Sequence, residues 1–343
     1  MLKLHHVLYI TEPDITLKLD GGAVLACHAD GQEDRIPLHL LQGIVSFSHI
    51  PPTQALAKTC AWEGIGFVIF SENGRFQYRI VGASRGNVLL RKRQYLLSED
   101  TAGRLELARV MIQGKILGAA GILHRYAKNH QELADLTPVK GRLKALAGLA
   151  STANEETYLR GIEGIAAKEY FNVFDRMLRT SDPAFSFAGR SRRPPKDPCN
   201  SLLSFTYTLL MMECVNALEG VGLDPCVGFL HGDRPGKESL ALDMMEELRP
   251  MVADRFVLRL INLQMIRADQ FVPVEEDGVH LSPEGRRLVL REWSKMRQRE
   301  VRLAEYDQTA PLGLLPFLQA QKLARFLRGE CPAYTNVDWG TIK

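Results

Sequence analysis

The hydrophobic pattern of this 343-residue chain changes period once, and that change divides the fold. Up to residue 84 the apolar residues fall in short extended runs, LHHVLYI, ITLKLDGGAVLACHA, RIPLHLLQGIVSFS, GIGFVIFS and FQYRIVG, separated by DGG, ADGQ and ENGR turns. Short runs punctuated by Gly, Asn and Asp are the mark of strands joined by tight turns. One helix, over 52–62, interrupts them. From Asn87 onward three-and-four spacing takes over, through 103–129, 153–180, 200–220, 239–268, 283–306 and 312–328. The expected fold is α+β, with a small, sandwich-like β-rich domain over 1–84, a linker helix over 85–100 and a larger all-α domain over 101–343. SFAGRSRRPPKDP reads as a mobile loop closing on Asp197 as N-cap, with Pro198 at the first helical position.

At 45% apolar and 24% charged residues the chain can bury ample core, which excludes disorder as its overall state. His5 and His6 interrupt MLKLHHVLYI, which therefore reads as a strand and not as a signal segment. No run approaches the roughly 20 uninterrupted apolar residues of a membrane span. Cys27, Cys60, Cys199, Cys214, Cys226 and Cys331 show no paired spacing, as expected of reduced, packing thiols in a cytoplasmic protein. A net charge of +3 is weakly basic, so any nucleic-acid surface must come from local clustering.

Within 153–178, Leu159, Ile162, Ala166, Tyr170, Val173, Phe174 and Met177 trace one helix face, and Glu163 falls on that stripe. An unpartnered carboxylate there would cost several kcal/mol, on the order of a buried charge's desolvation, so it must be protonated, paired or bound to a cation. We expect a cation. Downstream, GFLHGDRPG leads into SLALDMMEELRP, where His231 precedes a helix with Asp243 and Glu246 three residues apart on one face. One imidazole with two or three carboxylates suits Mn2+ or Mg2+ better than zinc, which prefers cysteine or further histidine. Taken singly, each residue also fits a surface charge, a helix cap or a hydrogen-bonded histidine. HGDRPGK lacks the GxxxxGK[ST] spacing of a nucleotide-binding loop.

Two basic features could hold a phosphate backbone. Arg287, Arg291, Lys295, Arg299 and Arg302 recur every three or four residues opposite Val289, Trp293 and Met296, as a positive ridge or as a solvated face partly neutralised by Glu292 and Glu300. Arg190, Arg192, Arg193 and Lys196 lie in the loop before Asp197, where they would order on phosphate or keep the loop solvated. Arg234 and Lys237, after His231, divide in the same way. By default Tyr207 is a core aromatic whose hydroxyl is satisfied at the rim, and Asn200 supports the first turn of its helix.

LRGIEGIAAKEYF, DPCNSLLSFTYTLL and GFLHGDRPGKESLALDMMEELRP, in this order, resemble the three signature blocks of the CRISPR-associated adaptation integrases, the nucleases that insert new spacers. SRGNVLLRKRQY and LPFLQAQKLARFLRG extend the likeness over nearly the whole chain, and the type I-C branch is the nearest in pattern. The resemblance implies a divalent-metal-dependent DNA endonuclease and integrase, with Glu163, His231, Asp243 and Glu246 as catalytic residues. It makes Glu163, His231 and Glu246 the ligands of Mn2+ or Mg2+ and Asp243 a nearby support. Glu246 stands where many relatives carry aspartate. The implied nucleophile is the 3′-hydroxyl of a duplex prespacer attacking a CRISPR-array repeat, with double-stranded DNA touching the basic residues, Lys237 and Tyr207. Implied partners are a second copy, joined through the β-rich domain, and a small ferredoxin-like adaptation protein. A small-molecule phosphoesterase and a catalytically silent DNA-binding scaffold remain as alternatives.

Overall fold

The computed structural model describes residues 6–71, 76–83, 87–274, 278–303 and 308–339. The first residues of the initial strand, the ENGR turn at 72–75, the expected boundary at Ser84 and the expected helix end at Tyr306 lie outside them.

The extended runs become β1 (His6–Ile10), β2 (Thr16–Asp20), β3 (Ala23–Cys27), β4 (Glu33–Pro37), β5 (Leu41–Ser46), β6 (Gly66–Phe70) and β7 (Phe76–Ile80). One sheet has the order β1-β5-β6-β7, parallel except for the antiparallel β6–β7 pair, and the other is the antiparallel β2-β3-β4. Gly21 and Gly22, both at positive φ, turn β2 into β3, as a two-residue hairpin of right-handed twist demands. The expected helix at 52–62 is α1 (Gln54–Glu63). Ile44, Phe67 and Ile69 pack with Leu17, Val24, Leu56 and Cys60 in the core of the β lobe. Val45, Phe47, Val68 and Phe70 point the other way, into the helical core, so both faces of β5 and β6 are buried and their sequences run apolar without alternation.

The second lobe is mostly helical: α2 (Val88–Glu99), α3 (Thr101–Asn129), α4 (Leu136–Ser151), α5 (Glu156–Asn172), α6 (Pro198–Val221), α7 (Ser239–Arg249), α8 (Arg255–Asn262), α9 (Pro283–Gln298) and α10 (Leu315–Arg328). Asp100 caps α3 by accepting from Ala102 and Gly103, and Asp197 caps α6 by accepting from Asn200, as its sequence foretells. α6 lies flush on the mixed sheet: a β-carbon at Gly66 would stand 2.9 Å from Asn216 Oδ1. α9 is tied to α6 by a buried ion pair, Arg297 Nε to Glu213 Oε1 at 2.8 Å, and by Trp293 Nε1 donating to the same oxygen at 2.8 Å.

Four sequence expectations need correction. α4 lies outside the expected helical ranges, between those over 103–129 and 153–180. The single helix expected over 239–268 is broken at Pro250, which supplies no amide donor and crowds the preceding turn, so Pro250–Asp254 forms a π-helical step between α7 and α8. The helix expected to 306 ends at Gln298, followed by the antiparallel pair β10 (Glu300–Leu303) and β11 (Gln308–Pro311). With β8 (Phe271–Val274) and β9 (Gly278–Leu281), it gives the otherwise helical lobe two small ribbons. α6 passes for a membrane span by length and composition, yet it holds no run of about 20 uninterrupted apolar residues. Of its most apolar window 67% is buried within the protein, the surroundings of a core helix.

Candidate acidic active site

Three helices meet at Glu163. Leu159, Ile162, Ala166 and Tyr170 bury one face of α5, and Glu163 stands at the edge of that face with a quarter of its side chain exposed. It is paired. Lys115, from the middle of α3, sets its Nζ 2.5 Å from Glu163 Oε1 and 2.9 Å from Oε2 of Glu246 on α7. Arg249, one turn beyond Glu246, brings a guanidinium nitrogen to 3.1 Å from the same Oε2. Burial alone would raise the Glu246 carboxyl, but the charges of Arg249 and Lys115 outweigh it and hold it at about 2. Glu246 is therefore an anion at any physiological pH.

Asp243 explains how His231 is held. Its carboxylate is fully buried and accepts backbone N–H bonds from Phe229 (2.6 Å), Leu230 (2.9 Å) and His231 (2.8 Å). Its Oδ1 also lies 2.6 Å from His231 Nδ1. Asp243 Oδ1 accepts from this ring nitrogen, so Nδ1 is the donor, and in the neutral imidazole that leaves the lone pair on Nε2, the arrangement that prepares a histidine to ligate metal. Gly228 is required beneath this loop, since a β-carbon there would stand 2.7 Å from Asp243 Oδ2.

Behind Arg249 lies a buried polar layer. Arg249 and Arg190 stack on the Tyr207 ring at 4.4 and 5.3 Å, and the Tyr207 hydroxyl donates to Asp254 Oδ1 at 2.5 Å. Burial pushes the Asp254 carboxyl up to about 6, against the lowering effects of Tyr207 and Arg249. Arg190 donates to Asn200 Oδ1 at 2.7 Å and Ser204 Oγ at 3.1 Å, and Asn200 is further held by Asp197. Tyr207 is buried and Arg190 is partly exposed, and their contacts bind the loop and α6 to the layer behind the acidic centre. Arg192, Arg193 and Lys196 of the same loop are exposed. Arg234 is exposed as well, and Lys237 is partly buried with its Nζ 3.5 Å from the Gly232 carbonyl.

The basic ridge is real but shorter than its periodicity suggests. Arg287, Arg291 and Lys295 are exposed on α9, whereas Arg299 lies just past the helix end and Arg302 on β10. Glu292 pairs with Lys295 at 2.7 Å and with Arg291 at 3.4 Å, so the ridge is partly neutralised.

Glu163 and Glu246 suit a hard divalent cation. Their oxygens already share a positive group, and Glu246 Oε2, though buried and within ionic reach of two cations, receives no well-directed hydrogen bond. His231 is not gathered with them: among the described residues no three His, Cys, Asp or Glu side chains stand close enough to hold a metal ion as they are placed. Sequence reasoning missed Lys115, Arg249 and Asp254. Lys115 could have been found by the argument applied to Glu163, because it falls among the buried Met111, Ile112, Ile116 and Ala119 of its own helix. Arg249 follows Glu246 at the three-residue spacing of one face.

A β-rich lobe seated on a helical lobe in which carboxylates from two helices converge on a half-buried lysine defines a two-lobed α+β protein with an acidic centre. The family pattern described as CRISPR associated protein Cas1 matches residues 8–295. The chain is 43% identical over 347 residues to a CRISPR-associated endonuclease Cas1 of Rhodospirillum rubrum, covering 99% of this chain and 100% of the relative. A CRISPR-associated endonuclease Cas1 of Chlorobaculum tepidum is 40% identical, with 99% and 100% covered. The fold matches a Cas1 protein from Thermotoga maritima with a TM-score of 0.80 at 24% identity, covering 94% of this chain and 97% of that one. It also matches a casposase bound to integration product, with a TM-score of 0.84 at 23% identity and 97% and 94% covered. The chain belongs to the Cas1 family.

Proposed function

We propose that this protein is a divalent-metal-dependent DNA endonuclease and integrase of CRISPR adaptation, joining the 3′-hydroxyl ends of a prespacer to an array repeat by transesterification. The observation that carries this reading is the meeting of Glu163 and Glu246, remote in sequence, on a single positive group. The relatives' description as CRISPR-associated endonucleases supports it.

Glu163, Glu246 and His231 would hold Mn2+ or Mg2+, which when bound supplies Lewis-acid stabilisation of the charge that grows on phosphate oxygens during in-line displacement. The chain's own residues do the rest. Asp243 fixes the His231 tautomer and anchors its loop, while Arg249 keeps Glu246 ionised despite burial. Exposed Arg287, Arg291, Lys295, Arg192 and Arg193, with Arg234 near His231, attract the phosphate backbone without reading sequence. No covalent enzyme intermediate is needed. With water in place of the 3′-hydroxyl the same centre hydrolyses DNA. Joining both ends of a duplex needs two centres at fixed separation, so the working form is an assembly of homodimers bridged by a small ferredoxin-like partner. A solved Cas6-RT-Cas1–Cas2 complex contains a chain of similar fold, with a TM-score of 0.82.

The test incubates the protein and its partner with Mn2+, a supercoiled array plasmid and a labelled 3′-hydroxyl duplex, alongside Glu163→Ala and His231→Ala. Label joined by wild type alone is the expected result. Equal joining by the variants eliminates this centre, and no joining by any of them favours a silent scaffold. Cleavage of a small phosphodiester without action on DNA would indicate a phosphoesterase.

A further inference from the structure

The geometry points to Lys115 as the resident cation of the acidic centre, which pairs Glu163 with Glu246 and must withdraw before a divalent ion can take its place. This inference rests on the reading of the two glutamates as metal ligands. A lysine on a helix ordinarily carries its ammonium to water along a flexible stem. Lys115 does the opposite: its side chain is only 15% exposed and its Nζ stands between two carboxylates on other helices.

A charge count shows why it cannot stay. Two carboxylates face two cations, Lys115 and Arg249, so the cluster is balanced as it stands. A divalent ion between the glutamates adds two charges within a few ångströms of both, and like charges at that separation in a partly buried site repel strongly. One resident cation has to leave, and the two differ in their freedom to do so. Arg249 is anchored by its stack on Tyr207 at 4.4 Å, in the layer that also holds Asp254. Lys115 makes ionic contacts to the two glutamates, and it lines a small cleft, partly open to solvent, together with Glu163, Tyr170, Arg249 and Asp254. Its ammonium can swing into that cleft while its backbone stays fixed in α3. Lys115 thus keeps two like-charged ligands assembled, and it competes with metal for them.

The experiment titrates the full-length protein, without DNA, with Mn2+ followed by the electron paramagnetic resonance signal of the free ion, and records thermal unfolding with and without Mn2+. Wild type is compared with Lys115→Met, Lys115→Gln and the double variant Glu163→Gln/Glu246→Gln. If the ammonium holds the pair closed nine parts in ten, both Lys115 variants bind Mn2+ about tenfold more tightly than wild type. They also melt lower without metal and gain more from Mn2+ than wild type does. Mn2+ affinity equal to or weaker than wild type in both Lys115 variants, while the double variant loses binding, overturns the role of Lys115 and leaves the metal reading standing. Binding by the double variant as tight as wild type, or none by any protein, overturns the metal reading and this inference with it.

Discussion

Asp243→Asn isolates what a single buried carboxylate does for this centre. The native side chain is fully buried and gathers Phe229 N, Leu230 N, His231 N and His231 Nδ1 at 2.6 to 2.9 Å, two donors on each oxygen. Asparagine keeps one oxygen and turns an NH2 group toward the other two donors. Each hydrogen bond to a charged acceptor contributes about 1.5–3 kcal/mol, and each buried donor left unmet costs about 1–3 kcal/mol. Two lost bonds, softened by relaxation of a loop that reaches solvent, therefore give a loss of about 3–5 kcal/mol. That is a large share of the roughly 5–15 kcal/mol by which a domain is stable. Urea unfolding at neutral pH measures it. Nitrogen-15 NMR of the His231 ring supplies the second readout, since loss of the Asp243 acceptor should let the proton divide between Nδ1 and Nε2. A change below about 0.5 kcal/mol, the scatter of ordinary surface substitutions, together with an unchanged tautomer would refute the argument. Gly228→Ala should act in the same direction by pressing on Asp243 Oδ2.

Three further outcomes follow from other parts of the structure. Burial outweighs the hydrogen bonds from Tyr334 and Gln319 and pushes the Glu247 carboxyl from 4.5 to about 7. The folded state then holds a proton that the unfolded chain releases earlier, so stability falls by roughly 3 kcal/mol as pH rises from about 4.5 through 7; Glu247→Gln should flatten that slope in urea unfolding at pH 5 and pH 8. Gly66→Val should destabilise the joint between sheet and α6 by about 1–3 kcal/mol through overpacking against Asn216, and an unchanged melting temperature would show that the helix can yield. Replacing Arg287, Arg291 and Lys295 by Ala should weaken DNA binding at any sequence and lessen the slope of log affinity against log salt by about 0.9 for each phosphate contact removed. A slope equal to that of wild type would assign the ridge to solvent.

The sequence by itself determined the division into a β-rich and a helical lobe, because short apolar runs and three-and-four spacing are local periodicities that need no partner to be read. It also named Glu163, His231, Asp243 and Glu246, the first as an acid on an apolar face and the others by spacing and family pattern. Tertiary structure alone decided which residues touch. Lys115 reaches Glu163 and Glu246 only because α3, α5 and α7 pack side by side, and no periodicity along one helix records which charged residue of another will face it. The same holds for Arg190 and Tyr207, whose residue types suit DNA as well as a stack: only the packing shows Tyr207 set between Arg190, Arg249 and Asp254. Pro250 marked a break in sequence, yet the π-helical step that sets Asp254 beneath the centre depends on the packing around it. Contacts between distant segments are set by burial of apolar surface over the whole fold, and a polar side chain finds its partner only once that burial has fixed the helices.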